Sequence, residues 1–236
     1  MTPLIVFGLL ALVIGGILLF FANRYNRRLA VVSQAHPIAI NQVRAGQPAA
    51  VQGLVKLDQP LTTPISHQSC VYYEYRMEQL KITYDAKGQE KHHWVMVAHD
   101  RKSTPFWLQD ESGRISIDPS GASFMAKPLS RRKLGVGDVI NDPGLAKIFA
   151  AVASPNIRVQ EKVLLVNSPA YVYGQADAGQ QGLVMHQGAG EFIISYQSEK
   201  ELQASIRRMM LITGLSGGVL AMTGLIMTLY KLFVRK

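Results

Sequence analysis

Cys70 is the only cysteine in this 236-residue chain, and it stands beside six histidines. Those residues bound the nucleophilic and metal chemistry the sequence can do. A thiolate beside positive charge is a nucleophile or a redox switch. Cys70, however, opens Cys70-Val71-Tyr72-Tyr73-Glu74-Tyr75-Arg76-Met77-Glu78, an aromatic strand pattern in which a free thiol acts as a small buried hydrophobe. His92 and His93 suggest a metal site completed by His67 or His99. Neighbouring strand positions face opposite sides, so the pair does not converge on one ion, and no zinc-type spacing accompanies it; both read as solvated residues flanking a turn. Asp100, Asp110, Glu111 and Asp118 are the carboxylates for acid–base work, which requires environments that push two pKa values apart. Asp110 and Glu111 fall at a hairpin tip, where turn duty is the default. There is no Ser/His/Asp elbow, phosphate-binding Gly loop or HExxH. The reading is a non-catalytic chain with no catalytic residue, metal or cofactor, and one cysteine excludes an intramolecular disulfide.

The elements that position these residues begin with two uncharged apolar stretches, 3–22 and 209–230. The first, as a helix rising about 1.5 Å per residue, spans roughly 30 Å and matches a bilayer core. Both are predicted to be transmembrane. The first lacks a basic n-region, and its Arg24, Arg27 and Arg28 follow the apolar run, so it reads as an uncleaved anchor. It is expected to continue as helix past Leu29 and fray before Pro37. Ser198-Glu199-Lys200-Glu201 is a capping box, predicting one unbroken helix from Glu199 to about Tyr230. Gly214 and Gly218 on the second span, with Ala11 and Gly15 on the first, are the small residues expected to pack the spans, and Gly214/Gly218 offers a route to a homo-oligomer.

Residues 23–208 form one domain of ordinary size, followed beyond the second span by a basic tail, 231–236. The domain holds all sixteen acids and every Lys or Arg except Lys231, Arg235 and Lys236, which leaves it moderately basic. Beside a membrane this favours anionic headgroups; no basic recognition helix or RNA-binding signature supports nucleic acid. The basic loop Lys127, Arg131, Arg132, Lys133 is the candidate lipid contact.

Strand signals dominate the domain. Gly46 to Leu57 is a turn and then a strand with a bulge or bend at its internal Gly. In Cys70 to Glu78, Val71, Tyr73, Tyr75 and Met77 form the predicted core face. Asp85 to Gly88 turns the chain into a paired strand, Trp94 to Ala98. Phe106–Gln109 and Arg114–Ile117 flank Asp110-Glu111-Ser112-Gly113 as a hairpin. Asp142-Pro143 opens a short helix with Asp as N-cap, its stripe Leu145, Ile148, Phe149 and Val152 facing the core, and Pro155 closes it. Four further strands are read over 159–166, 170–173, 183–186 and 192–196. Pro48 to Gly53 and Pro169 to Gly174 echo each other loosely.

These motifs carry a family resemblance. Pro60-Leu61, Cys70-Val71-Tyr72-Tyr73, Trp94, Pro105-Phe106, Asp110, Gly113 and the later Tyr171-Val172-Tyr173-Gly174 and Ser198-Glu199-Lys200-Glu201-Leu202 resemble the GIDE/BAM (beside-a-membrane) domain family, in the same helix, domain, helix order. In eukaryotes the family is similar to mitochondrial and chloroplast outer-membrane ubiquitin ligases whose catalytic part is a C-terminal RING. The resemblance implies a domain for partner or substrate recognition, with Pro60, Leu61, Cys70, Val71, Tyr72, Tyr73, Trp94, Pro105, Phe106, Asp110, Gly113 and Glu199 as motif residues of structural duty. A RING needs a set of mostly thiolate zinc ligands, which Cys70 cannot supply. The six residues after Tyr230 leave no room for one, so the chain resembles the RING-less prokaryotic members.

The expected fold class is α+β: a β-rich domain flanked by two transmembrane helices. The expected function is a membrane-anchored interaction module that binds an unidentified protein partner or the lipid bilayer. The alternative is a component of an E3 ubiquitin ligase-type system with RING chemistry supplied by another chain. Six basic residues border the spans on the domain side (Arg24, Arg27, Arg28, Lys200, Arg207, Arg208) against Lys231, Arg235, Lys236 and the terminal amine on the other. That bias favours a cytoplasmic domain under the positive-inside rule, whereas the resemblance implies the reverse.

Overall fold

The computed structural model describes residues 3–134, 138, 140–151, 156–180 and 182–233, with backbone alone at 3, 4, 130–132 and 231–233. Two compact units emerge, Met1–His36 with Glu199–Lys236, and Pro37–Ser198. The juxtamembrane stretches thus belong to the helices rather than to the globular domain.

In the first unit, α1 (Pro3–Gln34) and α3 (Glu199–Phe233) are unbroken and antiparallel. Both are long and apolar enough to cross a bilayer. α1 stops shortly before Pro37, which disfavours helix at the residue before it, and α3 carries Glu199 and Glu201 in its first turn, where negative charge suits the macrodipole. Small residues set the approach. A Cβ built on Gly15 would lie 2.7 Å from the Ala221 nitrogen, and one on Gly224 2.6 Å from the Gly8 carbonyl oxygen. Of the expected Gly214/Gly218 pair, only Gly214 faces α1. Gly214 meets the Ala22 Cβ at 3.7 Å, but Gly218 meets nothing within 4 Å. The contacting face is Gly217, Ala221 and Gly224, at i, i+4, i+7, and Gly218 is rotated off it.

The second unit is α+β and β-rich. β1 (Gln47–Lys56) pairs antiparallel first with β10 (Pro169–Gly179) and at its end with β5 (Phe106–Gln109). β5 pairs with β6 (Arg114–Ile117), β6 runs parallel to β11 (Gly182–His186), and β11 returns to β10. The ring is closed. Counted along the chain, its strands lie in the order 1-2-3-5-4-1, a five-stranded Greek-key barrel of OB-fold type. Val51, Val55, Phe106, Leu108, Ile115, Ile117, Val172 and Met185 belong to its buried core. The two echoing segments are partners here, Val51 opposite Val172. Gly53 is not a bulge, since the β1–β10 register is continuous through it. It marks a close approach, because a Cβ there would sit 2.5 Å from the Gln109 carbonyl oxygen.

A second sheet grows from insertions into this barrel. Between the first and second barrel strands come β2 (Leu61–Thr62), β3 (Ser69–Tyr84) and β4 (Glu90–Ser103). Between the third and fourth come β7 (Ser123–Met125), β8 (Lys127–Leu134), α2 (Pro143–Ala151) and β9 (Ile157–Leu165). β3 is central, with β9 on one side and β2 and β4 on the other, and β8 pairs with β9. β7 instead pairs with β12 (Ile193–Ser195), which extends the barrel sheet from β10.

Two expectations change here. The predicted basic loop at 127–133 is strand β8, antiparallel to β9. The predicted core face of β3 is split. Its register slips between Cys70 and Tyr72, so Val71 is an extra residue. Cys70 then joins Tyr73, Tyr75 and Met77 in the core under α2, while Val71 and Tyr72 enter the barrel core. One bulge lets a single strand feed two cores. In α2 the Asp142 cap holds: its Oδ1 accepts the Leu145 N–H at 2.7 Å. Leu145 is buried and Phe149 packs on the same core, but Ile148 is exposed. Val152 and Pro155 lie outside the described residues.

Candidate functional site

β9 stops pairing with β3 at Gln79, opposite Ile157, yet β3 and β4 continue together to Tyr84 and Glu90. The result is a two-stranded arm. Its tip is closed by Asp85, whose Oδ1 accepts the N–H groups of Lys87 at 2.8 Å and Gln89 at 3.0 Å, with Gly88 at φ +73°. Alternation sorts the arm into two faces. Leu80, Ile82 and Tyr84 share one with Trp94 and Met96, and with Glu78, His92 and Glu90; Lys81, Thr83, Lys91 and His93 share the other. Ile82, Tyr84 and Met96 are 47%, 68% and 56% exposed, so this face presents three exposed apolar side chains beside His92 and Glu90. The arm is stapled at its base: the Arg158 guanidinium lies 4.2 Å from the Trp94 ring centroid and pairs with Glu78. Among the described residues no strand pairs with the outer edge of β4.

Where β4 reaches the barrel, a cleft of about 300 Å³ is lined by Tyr72, Arg101, Lys102, Ser103, Phe124 and the loop Pro119 to Ala122. Tyr72 stacks on Phe124, centroids 3.8 Å apart. Its hydroxyl donates to Glu74 at 3.1 Å. Burial and the Glu74 carboxylate push the Tyr72 phenol up, so it stays protonated and donating. Asp118 shapes the loop by accepting the Ser120 N–H at 3.0 Å and hydroxyl at 2.7 Å, and these bonds hold its carboxyl below the usual range. Arg101 and Lys102 are exposed at the mouth, giving a cationic cleft with an aromatic floor. It can receive an acidic group.

The sequence-selected residues disperse around this surface. Cys70 is fully buried, and burial together with the Glu161 carboxylate pushes its thiol up to about 12, which removes it as a nucleophile. Val71, Tyr73 and Phe106 are buried, Leu61 is half-buried, and Pro60 and Pro105 are exposed. Asp110 is a clip. Its Oδ1 accepts Ser112 and Gly113, and its Oδ2 accepts the Ile40 N–H at 2.9 Å. Desolvation opposes these bonds, but they hold its carboxyl below the usual range. A Cβ on Gly113 would meet Ile40 at 3.8 Å, so the hairpin tip docks on the chain entering the domain. Glu199, in the helical unit, accepts from Gln203 at 2.9 Å and pairs with His36 at 3.0 Å. Lys127 and Lys133 are exposed on β8; Arg131 and Arg132 contribute backbone to it. His92 lies within β4 and pairs with Glu90, while His99 reaches Glu74. No group of His, Cys, Asp or Glu suited to a metal occurs among the described residues.

The sequence reading placed the turn at Asp85 to Gly88 and the returning strand at Trp94 to Ala98, but missed the extension of both strands over 79–84 and 90–93 and the Arg101/Lys102 cleft. Alternating Leu80, Ile82 and Tyr84 carried a signal for the first; nothing local signals the second, which forms from segments distant in sequence.

A family profile described as GIDE, E3 ubiquitin ligase, matches residues 75–227. The chain belongs to the GIDE family. The match runs from the middle of β3 through both sheets and into α3, so it covers the arm, the cleft apart from Tyr72, and the GIDE barrel apart from β1. No curated protein and no solved structure matches this GIDE chain.

Proposed function

We propose that this protein is a membrane-anchored, non-catalytic interaction module whose β3–β4 arm receives an extended segment of a protein partner. The observation that carries the reading is β4: fourteen residues of edge strand beside the exposed Ile82, Tyr84 and Met96. An open edge offers main-chain hydrogen bonds to an added strand, and the side chains beside it supply specificity. The Arg101/Lys102 cleft at the strand's end suits an acidic residue of that segment. Fold-level analogy points the same way, since OB barrels bind through the first inter-strand loop, the loop elaborated here. The membrane part rests on α1 and α3, where only 11% of each apolar window is buried in the protein; lipid is the medium that suits the rest.

The test is photo-crosslinking in native membranes from probes at Tyr84 and Met96, against a chain in which 80–94 is replaced by a tight turn. Adducts from both probes, with the same partner no longer co-purifying with the shortened chain, are expected. No adduct at either probe, or a partner retained without the arm, overturns the assignment.

The family description favours a second reading, a component of an E3 ubiquitin ligase-type system. With one buried thiol in these 236 residues, RING chemistry would come from outside them, on our reading from another chain. Co-purification of ubiquitin-transfer activity with the membrane-extracted protein tests it, and its absence counts against it. A cytoplasmic domain remains our proposal on the charge bias, and a reporter at Lys236 active in the cytoplasm would refute it. Lys127, Arg131, Arg132 and Lys133 remain proposed anionic-lipid contacts. An environment-sensitive dye on a Lys133→Cys variant should blue-shift when anionic lipid enters the bilayer; an unmoved spectrum retires the contact.

A further inference from the structure

α1 and α3 stay in contact beyond their apolar spans. Gly15 faces Ala221, Ala22 faces Gly214, the Val32 carbonyl accepts from Gln203 at 3.4 Å, and His36 meets Glu199. In this juxtamembrane part the pair encloses a groove of about 450 Å³ lined by Leu29 and Ser33 of α1 and Lys200, Gln203, Ala204 and Arg207 of α3. Leu29 and Ser33 are one turn apart on α1; Lys200, Gln203, Ala204 and Arg207 follow i, i+3, i+4, i+7 along one face of α3. Neither Lys200 nor Arg207 has an ion-pair partner among the described residues. The nearby Glu199 carboxylate is engaged by His36 and Gln203.

Height fixes the chemistry. The apolar run of α3 begins at Met209, so Arg207 stands roughly 3 Å and Lys200 roughly 14 Å beyond it along the axis. Headgroups occupy about 5–7 Å on each side of the hydrocarbon core. Arg207 therefore lies at the phosphodiester level. The Lys200 ammonium, on its flexible stem, can reach down to a group standing above it.

We infer that this groove binds one anionic phospholipid, with Arg207 on the phosphodiester and Lys200 on a second anionic group farther from the bilayer; the Ser33 hydroxyl and the Gln203 amide are already engaged with Ala30, Val32 and Glu199 and only line the groove. Basic pockets between membrane helices are suited to such headgroups. The proposal rests on the spanning of α1 and α3 but not on the arm as partner site. Carbonate extraction tests the spanning separately.

The experiment is native mass spectrometry of the full-length chain in detergent, titrated with phosphatidylinositol phosphate and, in parallel, phosphatidylcholine. One phosphatidylinositol phosphate should be retained in preference to phosphatidylcholine. Lys200→Gln with Arg207→Gln should weaken it roughly 30-fold, at about 1 kcal/mol per basic residue near the surface. Arg24→Gln with Arg27→Gln removes equal charge outside the groove and, with no direct contact to the bound headgroup, should change binding less than about threefold, far less than the groove variant. Equal losses in the two double variants would mean diffuse attraction and overturn the site, as would no preference over phosphatidylcholine. Soluble inositol phosphate binding as tightly as the lipid would assign the groove to a free phosphate and overturn the lipid. Unchanged unfolding temperature in both variants guards against loss of fold.

Discussion

Gly53 lies directly against Gln109: a Cβ on the glycine would come within 2.5 Å of the Gln109 carbonyl oxygen and 2.8 Å of its carbonyl carbon. This contact is where β1 leaves β10 and turns onto β5 to close the barrel. Glycine at a barrel corner removes the side chain that would hold the strands apart.

Gly53→Ala should therefore destabilise the domain by about 2–3 kcal/mol, the upper range for forcing an extra carbon into a packed site. Gly46→Ala is the comparison: its φ is +82° but nothing lies within 4 Å, so it should lose only about 1–2 kcal/mol of left-handed strain. Both tryptophans, Trp94 and Trp107, lie in the β unit, so intrinsic fluorescence on thermal unfolding of the detergent-solubilised chain reads it. A tolerated Gly53→Ala would mean the corner opens at no cost.

Much of the architecture was legible in residue order because local chemistry and final fold agree. The two apolar runs, the Asp142 cap, the Asp110–Gly113 hairpin and the aromatic strand at Cys70 each need only their own neighbours to form. Val71 was not legible: a bulge inverts the facing of everything before it, and alternation alone read Val71 with Tyr73. The basic segment at 127–133 lacks strand alternation, and its pairing with β9 decided its form. Closure of the barrel depends on β6 meeting β11 in parallel, a contact between distant segments that no local pattern encodes. The candidate site follows the same rule. The arm's strands had a local signature, while the cleft needed Arg101 to meet Pro119.

Glu161 is fully buried, and its carboxylate accepts the Ile65 N–H at 3.3 Å, the Ser66 N–H at 3.2 Å and the Ser66 hydroxyl. It pins the Pro64–Ser66 turn over the core that holds Cys70. Glu161→Ala leaves those donors unpaired and should destabilise by about 3 kcal/mol. Glu161→Gln keeps one acceptor oxygen and should recover part of that loss. Thermal unfolding distinguishes them, and equal losses would show that the carbonyl oxygen contributes nothing.

His186 Nε2 lies 2.7 Å from Asp177 Oδ2, and its Nδ1 lies 3.0 Å from the Gln187 carbonyl oxygen. Both acceptors favour the doubly protonated ring. The Asp177 hydrogen bond raises the His186 pKa against a desolvation that lowers it, and the same bond lowers that of Asp177. For the histidine the stabilisation is complete below its unfolded value near 6.5 and lost as pH rises through the higher folded value. For the aspartate it is present above about 3.9 and lost as pH falls through the lower folded value. The β10–β11 pairing should thus be firmest between about pH 4 and 6.5. NMR titration of the His186 ring should show a pKa above the ordinary value that returns to it in Asp177→Asn. An unshifted His186 in the parent chain would contradict the pairing.

Gly217 and Gly218 are adjacent but face differently, which separates packing within one chain from association between chains. A Cβ on Gly217 would lie 3.0 Å from the Leu18 Cβ and from the Leu19 nitrogen, whereas one on Gly218 meets nothing within 4 Å. Gly217→Leu must part α1 from α3 along a seam with no hydrophobic driving force to restore it. It should lower the resistance of the helix pair to detergent denaturation by about 2–3 kcal/mol, as overpacking does. Gly218→Leu should leave that stability within about 0.5 kcal/mol, the usual range for an uncrowded site. A homo-oligomer formed through Gly218 would respond oppositely: crosslinked dimers would vanish in Gly218→Leu and persist in Gly217→Leu. Helix-pair stability and crosslinking yield, measured on the same two variants, decide which glycine belongs to which contact. A Gly218→Leu chain that loses helix-pair stability as strongly as Gly217→Leu would show that the seam is misplaced by one residue.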